Sequence, residues 1–338
     1  MSSLKVLESF SLGGKTALVH NAYGKYGREA AEGLLAAGAE VFLSGADPEQ
    51  LNALAEDICK ETGYKPAGVL IYRQGTTAAA KGLVADLQAY TSSLDIFVYA
   101  EPELPLKGWS GHSYEKLFTI LKEVQVGLML TVQQVGLFMA GLTDQVDSDD
   151  PEQYEAVLAQ AVNIIPADGA VPFGKFDGGA VIFLTDYKSL IAPDPYNYIS
   201  VEEESGDPET AVPLPKPCAD ETAASLTDLR PGETMAAPDM WRSDFNLLEG
   251  YVKGGFVNYT RQIAGFLGHW NIRANTLAFA PFAEGTDEFF AAKYKRHTHL
   301  KRLTTAEDVR STVVFLASEA SSLMTGLTVP VDGGYTVK

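Results

Sequence analysis

The chain is predicted to fold as an α/β domain, a doubly wound parallel sheet carrying two acidic insertions. Three observations lead there. Short apolar runs alternate with amphipathic helical stretches through most of the 338 residues, the pattern of strands joined by crossover helices. The strand candidates are apolar throughout rather than alternating, as strands covered on both faces are. Most of the acidic surplus is confined to two blocks, which marks those blocks as inserted into the frame.

The elements follow in order. Thr16–His20 is the first apolar run, followed by a turn and a helical pattern over 27–37. Residues 40–44 form the next strand and 48–62 the next helix. Strands at 68–72, 94–100 and 180–184 come after, with helix between them. Residues 271–278 and 327–331 close the series. A sheet of this kind binds ligands at the carboxyl ends of its strands, near the switch point.

The two blocks are 143–177, with eight acidic residues and one basic, and 201–240, with ten and two. They hold 15 of the 18 units of net negative charge. The second contains Pro208, Pro213, Pro215, Pro217, Pro231 and Pro238. Proline at that density opposes helix and central strand, so a long loop or lid is expected, lying over the cleft. In the first block, proline just inside a run of helical spacing predicts a short helix over 151–162. Without the blocks the chain is about the size of one domain, so 1–338 is expected to be a single domain that carries both as insertions.

Composition narrows the function. A net charge of −18 disfavours nucleic acid and anionic membrane as partners. Cys59 and Cys218 are the only cysteines, too few for a disulfide framework or a thiolate metal cluster. No stretch approaches the roughly 20 apolar residues of a membrane span, and the first residues lack the pattern of a signal peptide. A cytoplasmic location is expected. His297 and His299 form a His-x-His pair, but no third and fourth ligand stands near them in sequence, so no metal site is assigned.

The tail Phe315-Leu-Ala-Ser-Glu-Ala-Ser-Ser-Leu-Met-Thr-Gly326, followed by Val329-Pro-Val-Asp-Gly-Gly-Tyr335, resembles the C-terminal signature of the short-chain dehydrogenases/reductases. Asn271-Ile-Arg-Ala-Asn-Thr-Leu-Ala278 and the helix start at Thr305-Ala-Glu-Asp-Val309 are similar to that family's strand and penultimate helix. The resemblance implies a Rossmann-like fold, a nicotinamide cofactor and a relay of Asn, Ser, Tyr and Lys. It also implies subunit interfaces built from the last strand and its helices, commonly in tetramers.

At the positions that carry chemistry the sequence departs from that pattern. The phosphate-binding loop reads His20-Asn-Ala-Tyr-Gly-Lys-Tyr-Gly27. Asn21 and Lys25 stand where the family has its first two glycines, and only Gly27 is kept. Lys25 either meets an anion or leaves a loop that simply turns. Gly45 and Ala46 stand at the ribose-binding position, Arg73 at the adenine-facing Asp, and Tyr99-Ala-Glu-Pro102 replaces Asn-Asn-Ala-Gly.

In the relay, Val124 takes the Asn position and Asp186 the Ser position. Lys253 is kept, and Glu249 stands one helical turn before it in place of Tyr. Tyr251 is two residues away and points to another face.

Three readings follow. The first is a non-catalytic subunit without a nicotinamide cofactor, assembling with itself or an active paralogue, commonly as a tetramer. The second is an NAD(P)-dependent oxidoreductase in which Tyr198 or Tyr196, brought back by the 201–240 insertion, works with Lys253. The third is a cofactor-independent enzyme using Glu249 and Asp186 as an acid/base pair near Lys253. The alternative for Glu249 is a structural ion pair with Lys253 on one helix face.

Overall fold

Seven parallel strands line up in the order β3-β2-β1-β4-β5-β6-β7 in the computed structural model. The structure describes residues 6–104, 113–143, 150, 152, 178–192 and 247–337. The strands are β1 Thr16–His20, β2 Glu40–Gly45, β3 Gly68–Ile71, β4 Ile96–Ala100, β5 Ala180–Asp186, β6 Arg273–Phe279 and β7 Thr328–Val331. They match the apolar runs of the sequence to within a few residues, and β1, β4 and β6 are buried from end to end.

Helices cover both faces, as unbroken apolar strands require. Those described are α1 Gly27–Ala36, α2 Pro48–Thr62, α3 Thr77–Gln88, α4 Tyr114–Leu121, α5 Gly127–Met139, α6 Leu247–Leu267, α7 Glu288–His297 and α8 Ala306–Ala317. Leu34, Leu54, Ile58, Val309 and Val313 bring α1, α2 and α8 onto one face of the sheet. Leu83, Val135, Phe256 and Leu267 bring α3, α5 and α6 onto the other. Asp47 caps α2 by accepting from the amides of Glu49 and Gln50.

The C-terminal motifs have structural work that can be read directly. Arg273 is buried and donates to the carbonyls of Leu316, Ser318 and Met324. Asn275 donates to the Met324 carbonyl and accepts from the Leu327 amide. Together they lock the turn between α8 and β7. Asp308 accepts from the Thr305 amide and hydroxyl, which caps the start of α8. Asp332 accepts from the amides of Gly334 and Thr336 and so fixes the end of the tail.

The chain leaves β3 and crosses to β4 on the far side of β1, which puts the switch point between β1 and β4. The cleft opens at the carboxyl ends of these strands. Apart from Glu152, the helix expected over 151–162 lies outside the described residues, as does the lid expected at 201–240.

Candidate functional site

The first strand-turn-helix unit begins at His20. Its ring lies 3.1 Å from the Ser44 hydroxyl and packs against Tyr72 and Tyr99. Burial drives its pKa down from 6.5 to about 4, against a hydrogen bond with Gln74, so the imidazole is neutral at physiological pH. Asn21 follows with φ +56°, a left-handed conformation that Asn tolerates better than other side chains. Its amide donates to the Ala100 carbonyl. This is how Asn stands in for a turn glycine. Gly27 begins α1 against the Asn21 carbonyl, with no room for a side chain.

Tyr23 lies against Gly45, and its hydroxyl accepts from the Ala46 amide. Tyr26 stacks on Phe279 and donates to the Ala280 carbonyl. Lys25 projects with its ammonium 6.0 Å from the Phe282 ring. Burial lowers its pKa, against the attraction of Glu103 and Asp186. The N-terminal residue of α1 makes no side-chain cap.

The second half of the site is a buried ion cluster. Lys253 sits in α6 with its ammonium 2.5 Å from Asp186 Oδ2, 2.6 Å from Glu249 Oε1 and 3.6 Å from Glu101 Oε2. Lys188 closes on the other Glu249 oxygen at 2.7 Å. Asp186 also accepts from the Lys188 amide. Glu101 accepts from the Thr185 hydroxyl at 2.7 Å.

Burial opposes each charge here, and the neighbours decide the outcome. Around Lys253 the carboxylates of Asp186, Glu101 and Glu249 overcome burial and hold its pKa well above the ordinary lysine value. At Asp186 the two lysines likewise overcome burial and hold the carboxyl below its usual range. At Glu101 burial wins over Lys253, and the carboxyl is pushed up to about 7.

Of the residues singled out in the sequence, the structure brings Asp186, Glu249 and Lys253 into contact. Glu249 pairs with Lys253 one turn along α6. Tyr251 is exposed. Tyr198 and Tyr196 lie outside the described residues. Val124 falls in a π-helical turn, Lys122–Val126, joining α4 to α5, and packs in a small apolar cluster with Ile120 and Val252. Gln125 of that turn reaches the Val252 carbonyl.

Glu101 is the site residue that sequence reasoning missed. The available signal was a lone carboxylate followed by a proline at the end of a buried strand. Only the fold reveals that this carboxylate faces the lysine 152 positions later in the chain.

These parts line two adjoining cavities. One, of about 500 Å³, is bounded by Lys25, Tyr26, Glu101, Asp186, Glu249 and Lys253 among others. The other, of about 220 Å³, is bounded by Asn21, Tyr23, Ala46, Arg73, Gln74 and Val124 among others. Both are walled by Pro102, Glu103 and Leu104. The result is a two-lobed cleft running from the ends of β1 and β2 across to β5 and α6. No group of side chains suited to a metal ion occurs among the described residues, where no helix is long and apolar enough to cross a membrane.

Comparison with known proteins agrees with this geometry. A family model described as Enoyl-(Acyl carrier protein) reductase matches residues 238–336. Galactitol 2-dehydrogenase of Rhizobium johnstonii is 39% identical over 92 residues, 25% of this chain and 35% of that protein. The 3-oxoacyl-[acyl-carrier-protein] reductase of Chlamydia pneumoniae is 38% identical over 90 residues, 25% of this chain and 36% of that one. The matched segment thus spans about a third of each relative's length.

The whole fold is shared more widely. A short-chain type dehydrogenase/reductase from Mycobacterium marinum superposes with a TM-score of 0.65 at 19% identity, covering 99% of this chain and 100% of that one. A gluconate 5-dehydrogenase from Burkholderia cenocepacia, solved with NADP and tartrate, gives 0.64 at 17% identity, covering 98% and 99%. The strand order and these superpositions agree in the fold, and the C-terminal third of the chain is similar in sequence to short-chain dehydrogenases and reductases.

Proposed function

We propose that the chain is an NAD(P)-linked oxidoreductase whose proton chemistry is carried by a cluster of carboxylates and lysine. The observation that carries this reading is the two-lobed cleft at the carboxyl ends of the strands, with Lys253 fixed in one lobe. The matched relatives are dehydrogenases and reductases. They support this reading over the sequence-based expectation of a non-catalytic subunit without a nicotinamide cofactor.

The residues present fit a dinucleotide at two points. The N-terminus of α1 has no side-chain cap, and although the Gly24 carbonyl takes the Gly27 and Arg28 amides, the helix dipole favours a pyrophosphate there. Lys25 adds a positive charge within the cleft. The fit is tighter at the adenosine end, where the Tyr23 hydroxyl takes the Ala46 amide and Arg73 lines the wall. A bound nicotinamide would supply or accept a hydride. Lys253 would then stabilise charge on a substrate oxygen, with Asp186 and Glu249 orienting its ammonium.

One observation favours a second reading. Three carboxylates surround the Lys253 ammonium, which can donate only three hydrogen bonds. That is the closure of a structural ion cluster, and it suits a subunit that no longer turns over.

Calorimetric titration of the full-length protein with NADH and NADPH separates the two readings. Micromolar binding of one dinucleotide is expected. Lys25→Glu should weaken it tenfold or more, equivalent to about 1.4 kcal/mol. No binding of either dinucleotide at millimolar concentration would transfer the conclusion to the second reading.

A further inference from the structure

We propose that Glu101 is the proton-exchanging group of the cleft, giving a proton to an oxygen of the bound ligand and taking one back. This rests on the oxidoreductase reading and names the residue that would complete it.

The geometry is specific. Glu101 follows β4 directly, and its backbone amide is tied to the Leu184 carbonyl of β5. The side chain is only 5% exposed, yet it forms part of the wall of the larger cavity. Its Oε2 is engaged by Thr185 and Lys253. Its Oε1 is buried and has no hydrogen-bond partner, the one carboxylate oxygen of the cluster left in that condition. A buried oxygen without a partner is costly, and a proton on it or a ligand hydroxyl against it removes the cost.

The other charged groups facing it are already committed. From α6 come Lys253 and Glu249, which pair with each other, and from the end of β5 comes Asp186, which pairs with Lys253 and accepts from the Lys188 amide. Lys188 pairs with Glu249. Asp186 is held ionised by its lysines, which leaves it poorly suited to deliver a proton at neutral pH. Glu101 titrates at about 7 because burial outweighs the pull of Lys253, near the value that suits a general acid or base at physiological pH.

The step balances simply. In the reducing direction the carboxylic acid of Glu101 would release one proton to a carbonyl oxygen, and a bound nicotinamide would supply the hydride that the carbonyl carbon takes. The carboxylate left behind recovers its proton from water through the cleft. In the oxidising direction it accepts the hydroxyl proton.

The test has two arms, both on the full-length protein. Infrared titration of the free protein should show a protonated carboxyl lost around neutral pH in the wild type and absent in Glu101→Gln. The same titration persisting in Glu101→Gln overturns the proposal. The second arm follows turnover of a panel of ketones and aldehydes with NADPH and NADH. Glu101→Gln should lower kcat/KM about 10²–10⁴-fold and abolish the limb near pH 7, whereas Glu101→Asp should keep a displaced limb. An unchanged kcat/KM and pH profile in Glu101→Gln also overturns it. If the wild type turns over no compound of the panel with either dinucleotide, the oxidoreductase reading fails by itself, and the infrared titration still decides whether Glu101 holds an exchangeable proton.

Discussion

Two buried residues near the cleft should give the stability of this protein opposite pH dependences. His20 has its folded pKa near 4, well below the ordinary 6.5. Below pH 6.5 the unfolded chain takes up a proton that the folded chain refuses, so stability falls as pH drops from 6.5 towards 4. The full difference corresponds to about 3 kcal/mol at roughly 1.4 kcal/mol per pH unit. Glu101 has its folded pKa raised from 4.5 to about 7. Here the folded chain keeps a proton that the unfolded chain releases, so its contribution is present below pH 4.5 and is lost as pH rises through 7. Urea unfolding of His20→Gln should therefore show a shallower acid loss than the wild type. Glu101→Gln should be more stable than the wild type at pH 8 and lose that advantage by pH 5. At this scale the sequence was legible where a residue acts alone. Lys253 and Asp186 were placed from their positions relative to motifs. Glu101 was not, because its character comes from burial and from partners on β5 and α6 that no local pattern encodes.

Among elements, the contact between α1 and α8 is the most tightly specified. Gly33 of α1 lies so close to Arg310 of α8 that an added Cβ would meet that residue's backbone at 2.9 Å. Around the contact, Arg310 reaches Glu29 at 2.6 Å and Glu32 at 2.5 Å. Gly33→Ala must push the helices apart, and overpacking of this kind costs about 1–3 kcal/mol. Chemical denaturation should show that loss even though alanine is the better helix former. The sequence made the strands and most helices readable, since β1, β4 and β6 are uninterrupted apolar runs and Asp47 with Pro48 announces α2. It did not announce the π-helical turn at Lys122–Val126, whose residues read as ordinary helix. Nor did it reveal that Tyr23 turns in against Gly45, because that contact joins two strands' loops through tertiary packing.

For the whole molecule, assembly through residues 303–338 stands as a proposal with a physical motive. Leu323 is 94% exposed and Val337 69%, on a tail otherwise held firmly by Arg273, Asn275 and Asp332. Exposed apolar side chains on a rigid surface suit a subunit contact. Light scattering at micromolar concentration should give a mass above that of one chain, and Leu323→Asp should reduce it. A monomeric wild type would refute this assembly. The frame of the molecule was legible because a parallel sheet imposes its apolar runs on the sequence over long stretches. The cleft was only half legible, since its two lobes are assembled from loops whose meeting depends on the order in which the strands are laid down.

The π-helical turn has one more consequence, which concerns chain length rather than chemistry. Such a turn holds one residue more than an α-helix would over the same rise. Deleting a single residue within 122–126 would let α4 and α5 run on as one regular helix. Because the bulge itself absorbs the extra residue, α4 and α5 would keep their relative orientation, whereas the same deletion inside α5 would turn everything before it by about 100° around the axis. Ile120 would stay at the wall of the smaller cavity, and only the widened turn that carries Glu123 and Val124 there would tighten. The shape of the cleft at that wall is thus counted in residues, and deleting Gln125 or Val126 would reshape it locally while keeping every charged group it contains.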